Sequence, residues 1–159
     1  MPAIIDATKA GVNSNSYVTL EEMDAYFDNY IFFDDWSYLT TDDKKRFILT
    51  TTQILEGLAP KFEKSTIEQS LQFPVSTELS KDDGWDTIVK ATKAQIRYLV
   101  FYHEALRDAQ NSQISGITSE GTSGYSKSFG GFNIYNSYSS EVKSKLSYYV
   151  DFNIYLRRG

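Results

Sequence analysis

Apolar residues recur at helical spacing most persistently between Asp86 and Ala109. At about 100° per residue, Ala91, Gln95, Tyr98, Leu99, Tyr102, Ala105 and Leu106 share one broad face. Val89, Ile96 and Val100 widen it. The charged residues Asp86, Lys90, Lys93, Arg97, Glu104 and Asp108 fall on the narrow remaining side, with Phe101 at their edge. An apolar arc this wide predicts a central helix packed on several sides rather than one lying on a surface.

Three shorter helices are predicted around it. Thr19 and Glu22 have the spacing of a capping box, and Val18 and Met23 that of a hydrophobic staple. They predict a helix over about 20–30, with Met23, Tyr26, Phe27 and Tyr30 on its buried face. Trp36, in an aromatic and acidic stretch without a settled period, is expected to plug the core. A second helix is predicted to start at Thr40 or Thr41, with Asp42 and Asp43 where the helix dipole favours anions. Phe47, Ile48, Thr51, Ile54, Leu55 and Leu58 supply its apolar repeat and Pro60 its stop. Ser139 or Ser140 caps a last helix carrying Val142, Leu146 and Tyr149.

Between these helices the pattern breaks. Residues 1–15 read as a flexible or extended lead-in. Ser65–Leu71 has room for one or two helical turns. Leu71-Gln72-Phe73-Pro74 is expected to be extended, because proline disfavours helix in the residue before it. Ser80–Gly84 reads as a polar turn. From Gln110 to Ser140 the chain is mostly Ser, Gly, Asn and Thr with interspersed aromatics. There Gly124–Phe129 alternates large and small residues and predicts a strand, Gly130-Gly131 ends it, and Phe132–Tyr135 is the expected partner. The fold class expected is therefore mainly α: a single domain, a bundle of about four helices around a long central one, with an extended arm or β-hairpin before the last helix.

Composition narrows the function. The chain has 159 residues, no cysteine and a net charge of −5. Thiolate chemistry is excluded, and tight non-specific binding to DNA is disfavoured because it rests on Lys and Arg neutralising phosphates. No segment reaches the roughly 18 apolar residues a membrane span needs. The single histidine, His103, lacks companions for a metal site, and the Asp-Asp pairs sit where helix caps and turns explain them. Gly130-Gly131 lacks the phosphate-loop lysine. No enzyme, cofactor or metal site is expected. Tyr and Phe can stack single-stranded bases, but that needs cations beside them, and Lys127 stands nearly alone among Tyr125, Phe129, Phe132, Tyr135 and Tyr138.

Several stretches, in order, resemble a family. They are Asn15–Phe27, Trp36, Asp42-Asp43-Lys44-Lys45, Leu71–Val75, Ile88–Thr92, Gly116–Glu120, Gly124–Phe129 and Glu141–Tyr148. Together they look like the head–tail connector (head-completion adaptor) proteins of tailed bacteriophages, although Phe73 and Val75 depart from that family's Trp-Pro-Arg segment. The resemblance implies a structural virion protein made in the host bacterial cytoplasm and placed at the head–tail interface. It would form a homo-oligomeric ring, a dodecamer, between the portal protein and a tail or stopper protein, close to packaged double-stranded DNA. The alternative is a DnaT-like single-stranded DNA-binding protein. On the connector reading, the subunit contacts are Arg97, Phe101, Glu104 and Asp108 on the central helix. Tyr125, Phe129, Phe132 and Tyr135 in the arm, and Phe152, Ile154, Leu156, Arg157 and Arg158 in the tail, complete them, both segments ordering on assembly.

Overall fold

A computed structural model describes residues 4–30, 34–76, 83–114, 119–122, 125–128 and 138–152, with side chains outside 103–128. It is mainly helical. The helices are α1 (Leu20–Asp28), the single turn α2 (Asp34–Ser37), α3 (Thr41–Glu56), α4 (Trp85–Ile114) and α5 (Ser140–Leu146). Strands β1 (Ser119–Thr122) and β2 (Tyr125–Ser128) pair antiparallel between α4 and α5.

Local chemistry explains the helix starts. The Thr19 hydroxyl accepts from the Glu22 amide at 3.1 Å, while the Glu22 carboxylate accepts from the Thr19 amide at 2.8 Å. Thr40 and Ser139 cap α3 and α5 in the same way, each accepting from the amide three residues on. Gly84 begins α4 at φ 72°, where a side chain would be strained and would press on the Tyr149 and Phe73 rings. Helix α3 stops at Gly57, ahead of Pro60, and α4 runs past Ala109 into the segment expected to be arm.

Helix α4 lies at the centre. Ile88, Ala91 and Ala94 join one cluster with Tyr17, Phe73, Val142, Leu146 and Tyr149. The two alanines leave room for α5 to come close. Ile96 and Val100 join a second cluster with Met23, Phe27, Trp36 and Ile48. Trp36 plugs this one as expected, stacked on Phe27 at 4.6 Å and donating its indole N–H to Asp24 at 2.7 Å. Gln95, fully buried, accepts from the Ser139 amide and so ties the start of α5 to α4.

Three connections differ from the expectations. Residues 4–15 form a bonded loop: the Asn15 side chain accepts from the Asp6 amide and donates to the Ile4 carbonyl. Residues 65–71 are not helical. The buried Gln69 side chain accepts from the Thr66 amide and donates to the Leu71 and Pro74 carbonyls, closing a turn with groups a helix would have bonded otherwise. The strand at Tyr125–Ser128 exists, but it pairs backward with Ser119–Thr122. The partner expected at Phe132–Tyr135, and most of the Ser80–Gly84 turn, lie outside the described residues.

A polar knot holds the end of α3. Tyr17 donates to the Glu56 carboxylate, which also accepts from the Gln72 amide at 3.0 and 3.1 Å. Burial lifts the Glu56 carboxyl above its ordinary value near 4.5, against the pull of those donors and of Lys64. The folded state therefore holds this proton more tightly than the unfolded chain does. This contribution to stability is complete below pH 4.5 and is lost as pH rises through the higher folded value. Glu56→Gln keeps an acceptor without the charge. Its melting temperature at pH 7 is expected to equal or exceed the wild type's, and any gain should vanish as pH falls below 4.5. A variant less stable at pH 7 than at pH 4, relative to wild type, would contradict the account.

Candidate nucleic acid interface

The charged strip of α4 is one part of its circumference that stays exposed or half-buried, as Asp86, Lys90, Lys93 and Arg97 show. Lys90, Lys93 and Arg97 recur at i, i+3 and i+7, on one face. Lys90 is exposed and Lys93 half-buried, and neither has an ion-pair partner among the described residues. Helix α1 meets α4 on the Val89, Ile96 and Val100 side of the strip, and α5 meets it on the Ala91 and Ala94 side. The strip is thus the floor of a furrow between α1 and α5.

Arg97 spans that furrow. One guanidinium nitrogen donates to the Tyr26 hydroxyl at 2.9 Å and to the Tyr30 hydroxyl. Another donates to Glu141 of α5 at 2.5 Å, and Glu141 also receives Lys145 at 3.5 Å. The Arg97 guanidinium lies 4.7 Å from the Tyr30 ring centre, a cation–π distance. The Tyr26 and Tyr30 rings are 5.7 Å apart and tilted by 34°. Both are half-buried. Burial pushes the Tyr26 phenol up, so it stays protonated. Burial opposes the Arg97 charge, but Tyr26, Glu141 and Tyr30 outweigh it and raise its pKa, so the cation persists.

On α4, Lys90, Lys93 and Arg97 share the strip with Asp86, and on α5 Glu141 pairs with Arg97 and Lys145, on a chain of net charge −5. Cations along a track with aromatic rings at one end are what a single nucleic acid strand requires: ammonium groups for phosphates and π faces for bases. Among the described residues no group of three or more His, Asp or Glu could hold a metal ion. No helix among them is long and apolar enough to cross a membrane.

Of the residues singled out in the sequence, Arg97 lies in the furrow, held within its own chain. Phe101 is half-buried on the next turn. Phe152 packs edge-on against Tyr138 at 5.9 Å. The side chains of Glu104, Asp108 and Tyr125 lie outside the described residues, as do Phe129, Phe132, Tyr135, Ile154, Leu156, Arg157 and Arg158 altogether. Sequence reasoning missed Tyr26 and Tyr30, assigning both to a buried face with Met23 and Phe27. The available signal was chemical: Tyr rather than Phe, four residues apart, means a polar tip needing a partner.

Residues 1–116 match the family model described as “Putative DnaT-like ssDNA binding protein”. With 116 of 159 residues matched, the chain belongs to that family. No curated protein and no solved structure matches it. The match overturns the resemblance to phage head–tail connectors, and with it the virion role, the ring and the portal, tail and stopper partners. Of the described stretches behind that resemblance, several are helix caps and helix starts, and Trp36 and Leu71–Val75 contribute to the core. Tyr26, Tyr30, Lys90, Lys93 and Arg97 all fall inside the matched region.

The Arg97 fork itself is testable. Lysine keeps the charge but cannot present two nitrogens to α1 and α5 at once. Arg97→Lys is expected to cost about 1 kcal/mol in urea unfolding. The cost should not add to that of Glu141→Gln, because both changes break the same contact. Full additivity of the two losses would show that Arg97 and Glu141 are not coupled.

Proposed function

We propose that this member of the DnaT-like family binds single-stranded DNA in the furrow between α1 and α5. Lys90 and Lys93 receive phosphates, and the half-buried rings of Tyr26 and Tyr30 receive bases. The observation that carries the reading is the pair of unpartnered lysines in register with the Arg97–Tyr30 contact, inside the family-matched region. Arg97 positions the two rings more than it binds phosphate, since Tyr26, Tyr30 and Glu141 already occupy its donors. The role is one of binding, with no catalytic step.

The charge balance sets the character of the complex. A few lysines on an acidic chain give modest affinity that falls with salt. Lys90→Gln with Lys93→Gln removes two phosphate contacts without disturbing any described ion pair. In fluorescence anisotropy with a labelled single-stranded oligonucleotide, affinity at low salt is expected to drop about tenfold or more. The slope of log affinity against log salt should flatten by roughly 1.4, or 0.7 per phosphate contact. The melting temperature should not change. Unchanged affinity and slope in a folded double variant would refute the furrow as the binding surface.

A further inference from the structure

On another side of the molecule, away from the furrow, a cleft of about 680 Å³ opens beside the last two turns of α3. That volume lies within the range of small-molecule sites. One wall is a single face of α3, with Leu49, Thr52, Gln53 and Glu56 at i, i+3, i+4 and i+7. The other is Leu71 with the loop at Ser14 and Asn15.

Glu56 accepts from the Tyr17 hydroxyl and the Gln72 amide, but its charge is not answered by a cation. It ends α3, where the helix dipole disfavours a negative charge. It is largely desolvated, yet no cation among the described residues lies within ion-pair range. Lys64 is near enough to be felt, but its ammonium is engaged by the Gln69 and Ser70 carbonyls, each at 3.1 Å. The rest of the wall accepts as well. The Thr52 hydroxyl spends its proton on the Ile48 carbonyl at 3.1 Å, which leaves its lone pairs. The exposed Gln53 can turn its carbonyl inward. On the loop side the Ser14 hydroxyl donates to the Thr8 carbonyl, and the Asn15 amide is held by the Asp6 amide and the Ile4 carbonyl. Acceptors with a negative charge, set between two leucines, call for a ligand rich in donors, positively charged and carried on a short alkyl stem.

We propose that this cleft binds a free small alkylguanidine or alkylamine, its cation on Glu56 and its stem between Leu49 and Leu71. The site is independent of the DNA-binding reading and uses none of its residues.

Isothermal titration of the full chain with agmatine tests it. A dissociation constant on the order of 1 mM is expected for a ligand of this size. Glu56→Gln should weaken binding about tenfold or more, the value of a charge-assisted pair. Leu49→Phe, which fills the cleft and leaves the carboxylate in place, should weaken it comparably. Circular dichroism would establish that both variants are folded, and both should keep their affinity for single-stranded DNA. Neutral pentanol should bind far more weakly than agmatine. Equal binding of pentanol, or unchanged agmatine affinity in folded Glu56→Gln, would overturn the proposal. So would tight binding of a capped arginine peptide without binding of agmatine, which would make the occupant a protein side chain.

Discussion

Everything in this structure follows from burying α4 on most of its circumference. A helix packed against α3, α5 and the α2 turn must be apolar over a broad arc, and this one supplies Ile88, Ala91, Ile96, Leu99 and Val100 to three clusters. Its polar residues are confined to what is left. Cations spread around a solitary helix would be diluted by solvent, but here Lys90, Lys93 and Arg97 are pressed into one track between two neighbouring helices. The packing that builds the core also builds the furrow.

The same constraint reconciles an acidic chain with binding to a polyanion. Net charge governs long-range attraction, whereas a groove with low-dielectric walls concentrates the field of the charges it contains. Many acidic residues are occupied elsewhere. Glu22 closes a helix cap, Asp24 receives Trp36 and Lys44, and Asp43 pairs with Arg46. Arg97 is the joint between fold and site, since one side chain ties α1 to α5 and sets the two tyrosine rings beside the lysines.

What was legible in the sequence was local. The Thr19–Glu22 capping box, the threonine start of α3, the serine cap of α5 and the wide apolar arc of α4 each rest on residues within a turn or two. The caps reappear in the structure, and so does the arc up to Val100, whereas Tyr102 on the same face is exposed. What escaped depends on which groups pair, near in sequence or far. Gln69 replaces a predicted helical turn by bonding carbonyls that spacing cannot assign to it. The hairpin strand at Tyr125 has its partner behind it, and alternation alone does not give a direction of pairing. The site was half legible. Arg97 stood out by its place on the charged strip, but its partners Tyr26 and Tyr30 lie 71 and 67 residues away. The search for a basic groove beside aromatics went to the arm, where Lys127 is nearly alone. Helix packing had assembled that combination elsewhere.

The most direct test of the central claim is a map of where a single strand touches the protein. Titrating the isotopically labelled full chain with a short single-stranded oligonucleotide, and following its amide resonances, supplies that map. The furrow account predicts that the largest shifts fall on residues 26–30 and 90–97, with smaller ones at 139–145 and little change at residues 49–57 of α3. Shifts concentrated away from α1 and α4, with residues 90–97 unmoved, would contradict it.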